Sequence, residues 1–300
     1  MGSQTPALEK LFDEWAKKHA ELVSKEPPYS LPGEPPFGGF VRDGIINLEN
    51  WKKQKARICF ILNEAGGRFD MVHYPDGFDL AAEWNEKGSF SKFMFKLCVW
   101  TKAIQDAFNA VPETYVKTQV SNIRDDLIRS IAVVNIKKSD GQRKSDFEAL
   151  RRFANEDAEE LKRELELVNP NIIICGENMR FLRGPRPEDE NAKRNFVFYE
   201  DEIKQIGKLS YVWGSKLVLS MWTPANFVGT ISSNTINYYA VREITRAALK
   251  ALSKRNAKAK MKQEQEAKKA AKEAEKATKE AKAETSKPAK PAAPKAKPKK

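Results

Sequence analysis

The chain has 300 residues, of which 41% are apolar, so it can bury a sizeable core in one large domain or two small ones. Its sequence contains no run of about 18 apolar residues, and its charged N-terminus lacks the apolar segment of a secretory signal, so neither a membrane span nor export is expected. The net charge is +12, and the three widely spaced cysteines indicate reduced core thiols instead of disulfides or a metal cluster.

The first predicted elements are a helix and an irregular arm. Apolar residues at helical spacing predict an amphipathic helix in LEKLFDEWAKKHAELV, with His19 on its surface. The stretch SKEPPYSLPGEPPFGGFVRDG is rich in Pro and Gly, which predicts an irregular arm laid over the surface of the domain.

Buried strands alternate with helices over the rest of the body. Continuous apolar runs predict strands at Ile58–Leu62, Ala132–Asn135, Ile172–Cys175 and Leu217–Met221. Helical patterns lie between them: one from Leu80 to about Val111 with a break near Gly88, and one long helix opening on Ser145 as its N-cap. A last helix is predicted in TINYYAVREITRAALKALSK. This alternation predicts an α/β fold, a three-layer sandwich with a central, mainly parallel sheet.

The positive charge is concentrated at the C-terminal end. From Lys254 onward there are 17 Lys and Arg against 6 Glu, so of the totals of 53 and 41 the residues before it hold 36 basic and 35 acidic side chains. We therefore divide the chain into one balanced α/β domain, residues 1–253, and a basic tail, residues 254–300, that is partly helical or disordered. Such a tail attracts polyanions, which favours nucleic acid over a purely solubilising role.

Several motifs meet at the carboxyl edge of the predicted sheet, where ligands bind in folds of this kind. Glu64 follows a buried strand, where a carboxylate either caps the next element or acts on a ligand. The amide of Asn135 either satisfies backbone groups or reads the carbonyl and N–H edge of a pyrimidine. Phe78 is either a core residue or a platform for a ligand ring, and Lys138 is either solvated or a ligand contact.

The order and spacing of these motifs resemble the uracil-DNA glycosylase superfamily over residues 56–230. ILNEAGG is similar to the Gly-Glu-Ala-Pro-Gly motif of its iron–sulfur class, and VVNIKKS to a Thr-Asn-Val-Val-Lys-Cys-like strand. LELVNPNIIICGEN looks like a later helix and strand of that class. The resemblance implies a uracil-DNA glycosylase-like fold that flips uracil or another modified base out of DNA and cleaves its N-glycosidic bond.

The chain also departs from that superfamily. Gly66 replaces the motif proline, and Ser139 replaces a cysteine. Thr223-Pro224-Ala225 stands where the superfamily has a His-Pro-Ser-like motif, so the histidine that stabilises the departing base is missing. No cysteine cluster precedes the first motif, so we expect no iron–sulfur cluster, and no other cofactor or metal is implied.

The resemblance assigns the catalytic roles first. Glu64, with Asn63 beside it, would stabilise the sugar cation and align water, which needs no metal. Thr223, or a backbone N–H near it, would replace the missing histidine at the base oxygen. The base-binding residues would be Phe78, Asn135, Gly66 and Gly67. The DNA contacts would be Lys138, Asn226 and Phe227, the last as a wedge into the base stack.

The expected partner is therefore single- or double-stranded DNA. The protein is expected to be a monomer, either in the cytoplasm and associated with the nucleoid or in a nucleus. Two other functions remain open. The chain is alternatively a non-catalytic nucleic-acid-binding protein on the same fold. An enzyme acting on free nucleosides or nucleotides is the third hypothesis, although it leaves the basic tail unexplained.

Overall fold

The structure is a computed structural model that describes residues 4–25, 39–66, 77–89, 91–112, 117–141, 145–186, 195–221 and 231–285. The chain divides into two compact units, Met1–Leu252 and Ser253–Lys300. The helices are α1 (Pro6–Lys25), α2 (Leu48–Lys53), α3 (Leu80–Lys87), α4 (Lys92–Phe108), α5 (Lys117–Asn122), α6 (Arg124–Arg129), α7 (Phe147–Glu156), α8 (Ala158–Val168), α9 (Met179–Leu182) and α10 (Ile231–Thr285). A 3-10 helix, Gly176–Asn178, precedes α9.

The strands are short except for two. They are β1 (Val41–Arg42), β2 (Gly44–Ile45), β3 (Ile58–Gly66), β4 (Phe78–Asp79), β5 (Ala132–Gly141), β6 (Ile172–Ile174), β7 (Arg183–Gly184), β8 (Phe198–Tyr199), β9 (Ile203–Gly207), β10 (Ser210–Trp213) and β11 (Lys216–Leu219). One sheet has the strand order β2-β5-β3-β6-β11-β10-β9. Its inner strands β5, β3, β6 and β11 are parallel, and its outer strands pair antiparallel. The central, mainly parallel sheet predicted from the apolar runs is thus confirmed.

Apolar side chains cover both faces of this sheet, which explains why its inner strands read as continuous apolar runs. Along β3, Phe60 and Leu62 join a core with α3, α4, α6 and the first part of α10, whereas Cys59 and Ile61 join a second core with α1, α7 and α8. The arrangement is compatible with the predicted three-layer sandwich. The three cysteines are buried and free, as predicted.

The helical predictions hold except after β5, where both the single long helix and its N-cap Ser145 are wrong. The break near Gly88 is present, since Gly88 ends α3 with a φ of +65°, a conformation that favours glycine. The prediction of a single long helix after β5 is wrong, because this segment divides into α7 and α8. Asp157 is the C-cap of α7 and the N-cap of α8. The N-cap of α7 is Asp146, whose carboxylate accepts hydrogen bonds from Glu148 N and Ala149 N.

The unit after Leu252 consists mainly of the last part of α10. The helix continues to Thr285, and the side chains from residue 256 to residue 274 are exposed. No described helix is both long enough and apolar enough to cross a membrane.

The prediction that His19 lies on the surface is wrong. Its side chain is 5% exposed, and the centroid of its ring lies 5.9 Å from that of Phe40 and 6.2 Å from that of Phe153. Burial, with a smaller contribution from the positive charge of Lys137, lowers the pKa of His19 to about 4.

We expect this histidine to make the protein less stable in acid. Because its folded pKa of about 4 lies below the usual histidine pKa of 6.5, the unfolded chain binds more protons between these pH values. The stability that neutral His19 provides is therefore present above pH 6.5 and is lost as the pH falls through 4. Between pH 7 and pH 4 the wild type should lose about 3 kcal/mol more unfolding free energy than His19→Gln, measured by urea unfolding. Parallel pH profiles for the two proteins would contradict the prediction.

Candidate functional site

The candidate site lies at the carboxyl ends of β3 and β6. The chain after β3 returns to this sheet at β5 on one side, and the chain after β6 returns to it at β9, β10 and β11 on the other. Such a reversal opens a crevice beyond the strand ends, which is where ligands bind in open α/β sheets. The buried Asn178, just after β6, spans this position, since its Nδ2 donates to the carbonyl oxygen of Ile61 at 3.2 Å.

The strands β3 and β5 extend further than their apolar runs predict, and they pair along this extension. Glu64 is in register with Lys137, but the next pair along the ladder is Ala65 with Asp140. Two residues of β5, Lys138 and Ser139, are therefore extra, which makes a bulge. Bulges re-aim side chains and are common beside functional sites.

The extension changes the setting of two predicted site residues. Glu64 lies within β3, not in a loop after it. Gly66 was predicted to let loop amides approach a base, but it is the last residue of β3 and is in register with Gly141. Its backbone is therefore part of the sheet, which corrects the expectation of a loop beginning there.

Glu64 carries a buried carboxylate, and only one of its oxygens has a partner among the described residues. Its side chain is 6% exposed, and Oε2 lies 3.4 Å from the Nζ of Lys137. Its Oε1 is buried and has no hydrogen-bond partner within the described part of the chain. An unpaired buried carboxylate oxygen is costly, so a ligand that donates a hydrogen bond to it is favoured.

Asn63 ties the end of β3 to the beginning of α7. Its Nδ2 donates to the Oγ of Ser145 at 3.0 Å, while its Oδ1 is buried without a partner among the described residues. The amide nitrogen thus makes a structural contact, and the amide oxygen is an acceptor without a partner in the described ranges.

Asn135 lies on β5 in register with Leu62, two residues before the position of Glu64. The residue is 1% exposed, and its Nδ2 donates to the Oδ2 of Asp43 at 2.9 Å. The same carboxylate oxygen accepts the backbone N–H of Asn135 at 2.7 Å. Because a carboxylate only accepts, Asp43 fixes the orientation of the amide, and the Oδ1 that remains has no partner in the described ranges.

Lys138 was predicted to contact DNA, and the structure contradicts this. The side chain is 0% exposed and forms ion pairs with Asp43 and with Glu164, whose Oε2 lies 2.6 Å from the Nζ. Burial by itself lowers the pKa of Lys138, but the two carboxylates together raise it above its usual value. Lys138 is an internal cation on the same face of β5 as Val134 and Ile136, which lie in the core with α1, α7 and α8.

Neither Asp43 nor Glu164 was predicted from the sequence to belong to the site, although the position of Glu164 was a signal. The buried positions of α8 include Leu161, Glu164, Leu165 and Val168, which are spaced as one helical face. A glutamate on the apolar face of a helix indicates a buried cationic partner. Asp43 stands in the Pro- and Gly-rich arm, where nothing local distinguishes it from a turn residue.

Phe78 belongs to the core and not to an open ligand platform. It is 8% exposed and packs in the same core as Leu62, and its backbone N–H donates to the carbonyl oxygen of Phe40 at 2.8 Å. This corrects its assignment as a stacking face, because a base can stack only on a ring whose face is accessible.

The other predicted site residues lie outside the described residues. These are Gly67, Thr223, Asn226 and Phe227. Within the described ranges, no group of three or more His, Cys, Asp or Glu side chains is arranged to hold a metal ion.

Comparisons with known proteins do not place the chain in a family. No protein-family model matches it, and no curated protein sequence matches it significantly. The chemistry of the site therefore has to be inferred from its own residues.

Proposed function

We propose that this chain is a DNA glycosylase-like enzyme that flips a modified or deaminated base from DNA and cleaves its N-glycosidic bond. The observation that carries the proposal is the carboxylate of Glu64, which is buried at the switch point of the sheet with Oε1 unpaired among the described residues. The resemblance of ILNEAGG and VVNIKKS to the uracil-DNA glycosylase superfamily supports the same activity.

The proposed reaction separates charge between the sugar and the base. The bond between C1′ and the base nitrogen breaks, and its electron pair leaves with the base, so positive charge develops on the sugar. A carboxylate beside the sugar stabilises that charge and accepts a proton from the water that adds to C1′. Oε1 of Glu64, which has no partner among the described residues, is the atom for this role, and Lys137 provides a counter-charge on the other oxygen.

Asn135 is the proposed base reader. Since Asp43 holds its Nδ2, the atom it offers to a ligand is Oδ1, an acceptor that suits an N–H group on the base edge. Thr223 keeps its proposed position at the base oxygen, and Asn226 and Phe227 keep their proposed contacts with DNA. Phe78 and Lys138 drop out of the proposal, because the Phe78 ring packs in the core and the Lys138 ammonium is already paired with Asp43 and Glu164.

A non-catalytic nucleic-acid-binding protein is the second candidate. The ion pair between Lys137 and Glu64 favours it, since a carboxylate neutralised in this way also serves as a purely structural contact between two strands.

The experiment that tests the proposal is a substrate panel. Purified protein is incubated with duplexes and single strands that each carry one modified base, and abasic sites are scored by alkaline cleavage. We expect base release from at least one substrate. Binding across the panel without any abasic site would support the non-catalytic alternative instead.

The basic tail is expected to add affinity without specificity. Removing residues 254–300 should weaken DNA binding at low salt and leave the substrate preference unchanged. Each tail lysine near a phosphate adds about 0.7–0.9 to the slope of log affinity against log salt, so that slope should become shallower.

A full-length variant with eleven tail lysines replaced by Gln separates charge from length, because it removes the surplus of 17 basic over 6 acidic side chains. It should behave like the truncated protein in the same salt titration. Wild-type affinity and slope in both variants would leave the tail without a role in binding.

A further inference from the structure

A second candidate site lies on the α7 side of the sheet. A cavity of about 570 Å³ is lined by α7, α9, β7 and the segments next to β7 and β8. This volume is typical of sites that bind small ligands or single units of a polymer. Among the described residues, four arginines and two glutamates line it: Arg151, Arg152, Arg180, Arg183, Glu148 and Glu200.

The two glutamates each pair with one arginine at the cavity wall. Arg151 Nη1 lies 3.0 Å from Glu148, and Arg183 Nη2 lies 3.2 Å from Glu200. Arg180 is held differently, since its guanidinium carbon lies 4.5 Å from the ring centroid of Phe147 and 4.7 Å from that of Phe181.

Stacking of this kind fixes the plane of the Arg180 guanidinium and leaves its N–H groups available. In the part of the chain that the structure describes, Arg180 makes no ion pair with a carboxylate. A fixed, uncompensated guanidinium beside further arginines suits the bidentate recognition of a phosphate.

Part of the described cavity lining is apolar. It includes Pro185 and Phe196, and the ring of Phe196 lies so close to Gly184 that a Cβ there would meet it at 2.3 Å. Glycine is therefore needed at this point for the ring to occupy its place. Arginines that line the same cavity as an aromatic ring match a ligand that joins a phosphate to a planar ring, which is the chemistry of a nucleotide.

The cavity and the Glu64 site are connected through two elements. Ser145, which bonds Asn63 at the end of β3, directly precedes the N-cap of α7. α9, which carries Arg180, follows the 3-10 helix at the end of β6. The two helices that line the cavity, α7 and α9, thus both begin near the edge of the sheet where Glu64 lies.

We propose that this cavity binds one nucleotide unit of the nucleic-acid strand next to the base held at Glu64, with its phosphate on Arg180 and the neighbouring arginines. The inference rests on the proposed function only in taking nucleic acid as the ligand. It assigns the cavity to binding and gives it no part in the chemistry.

The test compares Arg180→Gln with Arg186→Gln in the full-length protein. Arg186 is a matched control, because it is exposed and outside the cavity, and it already pairs with Asp201 at 3.1 Å and Glu202 at 3.0 Å. Affinity for a labelled single-stranded oligonucleotide is measured by fluorescence anisotropy at a salt concentration that screens the tail. We expect Arg180→Gln to weaken binding about tenfold, the effect of losing one charge-assisted contact, and Arg186→Gln to change it less than twofold.

Two outcomes would overturn the proposal. Equal affinities for the two variants would exclude the cavity from strand binding. Binding of a free mononucleotide that depends on Arg180, without any effect of Arg180→Gln on the oligonucleotide, would assign the cavity to a free nucleotide instead. Failure of the proposed function can be distinguished from failure of this inference. In that case no base would be released, but oligonucleotide binding would still depend on Arg180.

Discussion

Replacing Glu64 with Gln is expected to lower the rate of base release by about two to four orders of magnitude, the usual effect of losing one positioned acid–base or electrostatic group. The substitution keeps the shape of the side chain and removes the negative charge that opposes the sugar cation. The affinity for DNA should stay close to that of the wild type, since phosphate contacts made elsewhere dominate it. Single-turnover rates on a substrate found in the panel, together with anisotropy titrations, measure the two effects separately.

A control for this experiment is available at the same edge of the sheet. Glu177 lies in the 3-10 helix after β6 and is exposed, so Glu177→Gln removes an equal charge without touching the buried carboxylate. Its rate should remain within about threefold of the wild type, as expected for a change outside the reacting atoms. Near-wild-type turnover in Glu64→Gln itself would show that Glu64 is only the structural partner of Lys137.

The second large effect concerns Lys138, the buried cation on β5. Lys138→Met should lower the free energy of unfolding by about 3–5 kcal/mol, because it leaves Asp43 and Glu164 buried without their counter-ion. Urea unfolding at pH 7 measures the loss. Lys52→Met is the exposed control, since Lys52 pairs with Glu49 across one helical turn at the surface and should contribute less than about 1 kcal/mol.

A triple variant shows whether charge or packing causes the loss. Adding Asp43→Asn and Glu164→Gln to Lys138→Met removes all three charges, so part of the lost stability should return. If Lys138→Met costs less than about 1 kcal/mol, the ion pairs seen in the structure do not stabilise the protein. Because Asp43 also orients the amide of Asn135, the triple variant should bind base-containing substrates less selectively even where its stability recovers.

Local patterns in the sequence determined the elements that depend on burial alone. The apolar runs of β3 and β6 mark strands covered on both faces, and the positive φ of Gly88 agrees with a helix end that the glycine already indicated. Charge counts separated the balanced body from the basic tail in the same way. In each case the physical cause lies within a few residues of its effect.

Tertiary structure alone decided which polar groups are buried and what they pair with. Lys138 lies on the same face of β5 as Val134 and Ile136, and its ammonium can be buried there because Asp43, 95 residues earlier in the chain, supplies a carboxylate. Glu64 meets Lys137 only because β3 and β5 extend as a parallel pair beyond their apolar runs. The free energy of a buried charge depends on partners brought from distant parts of the chain, and spacing along one strand does not encode them.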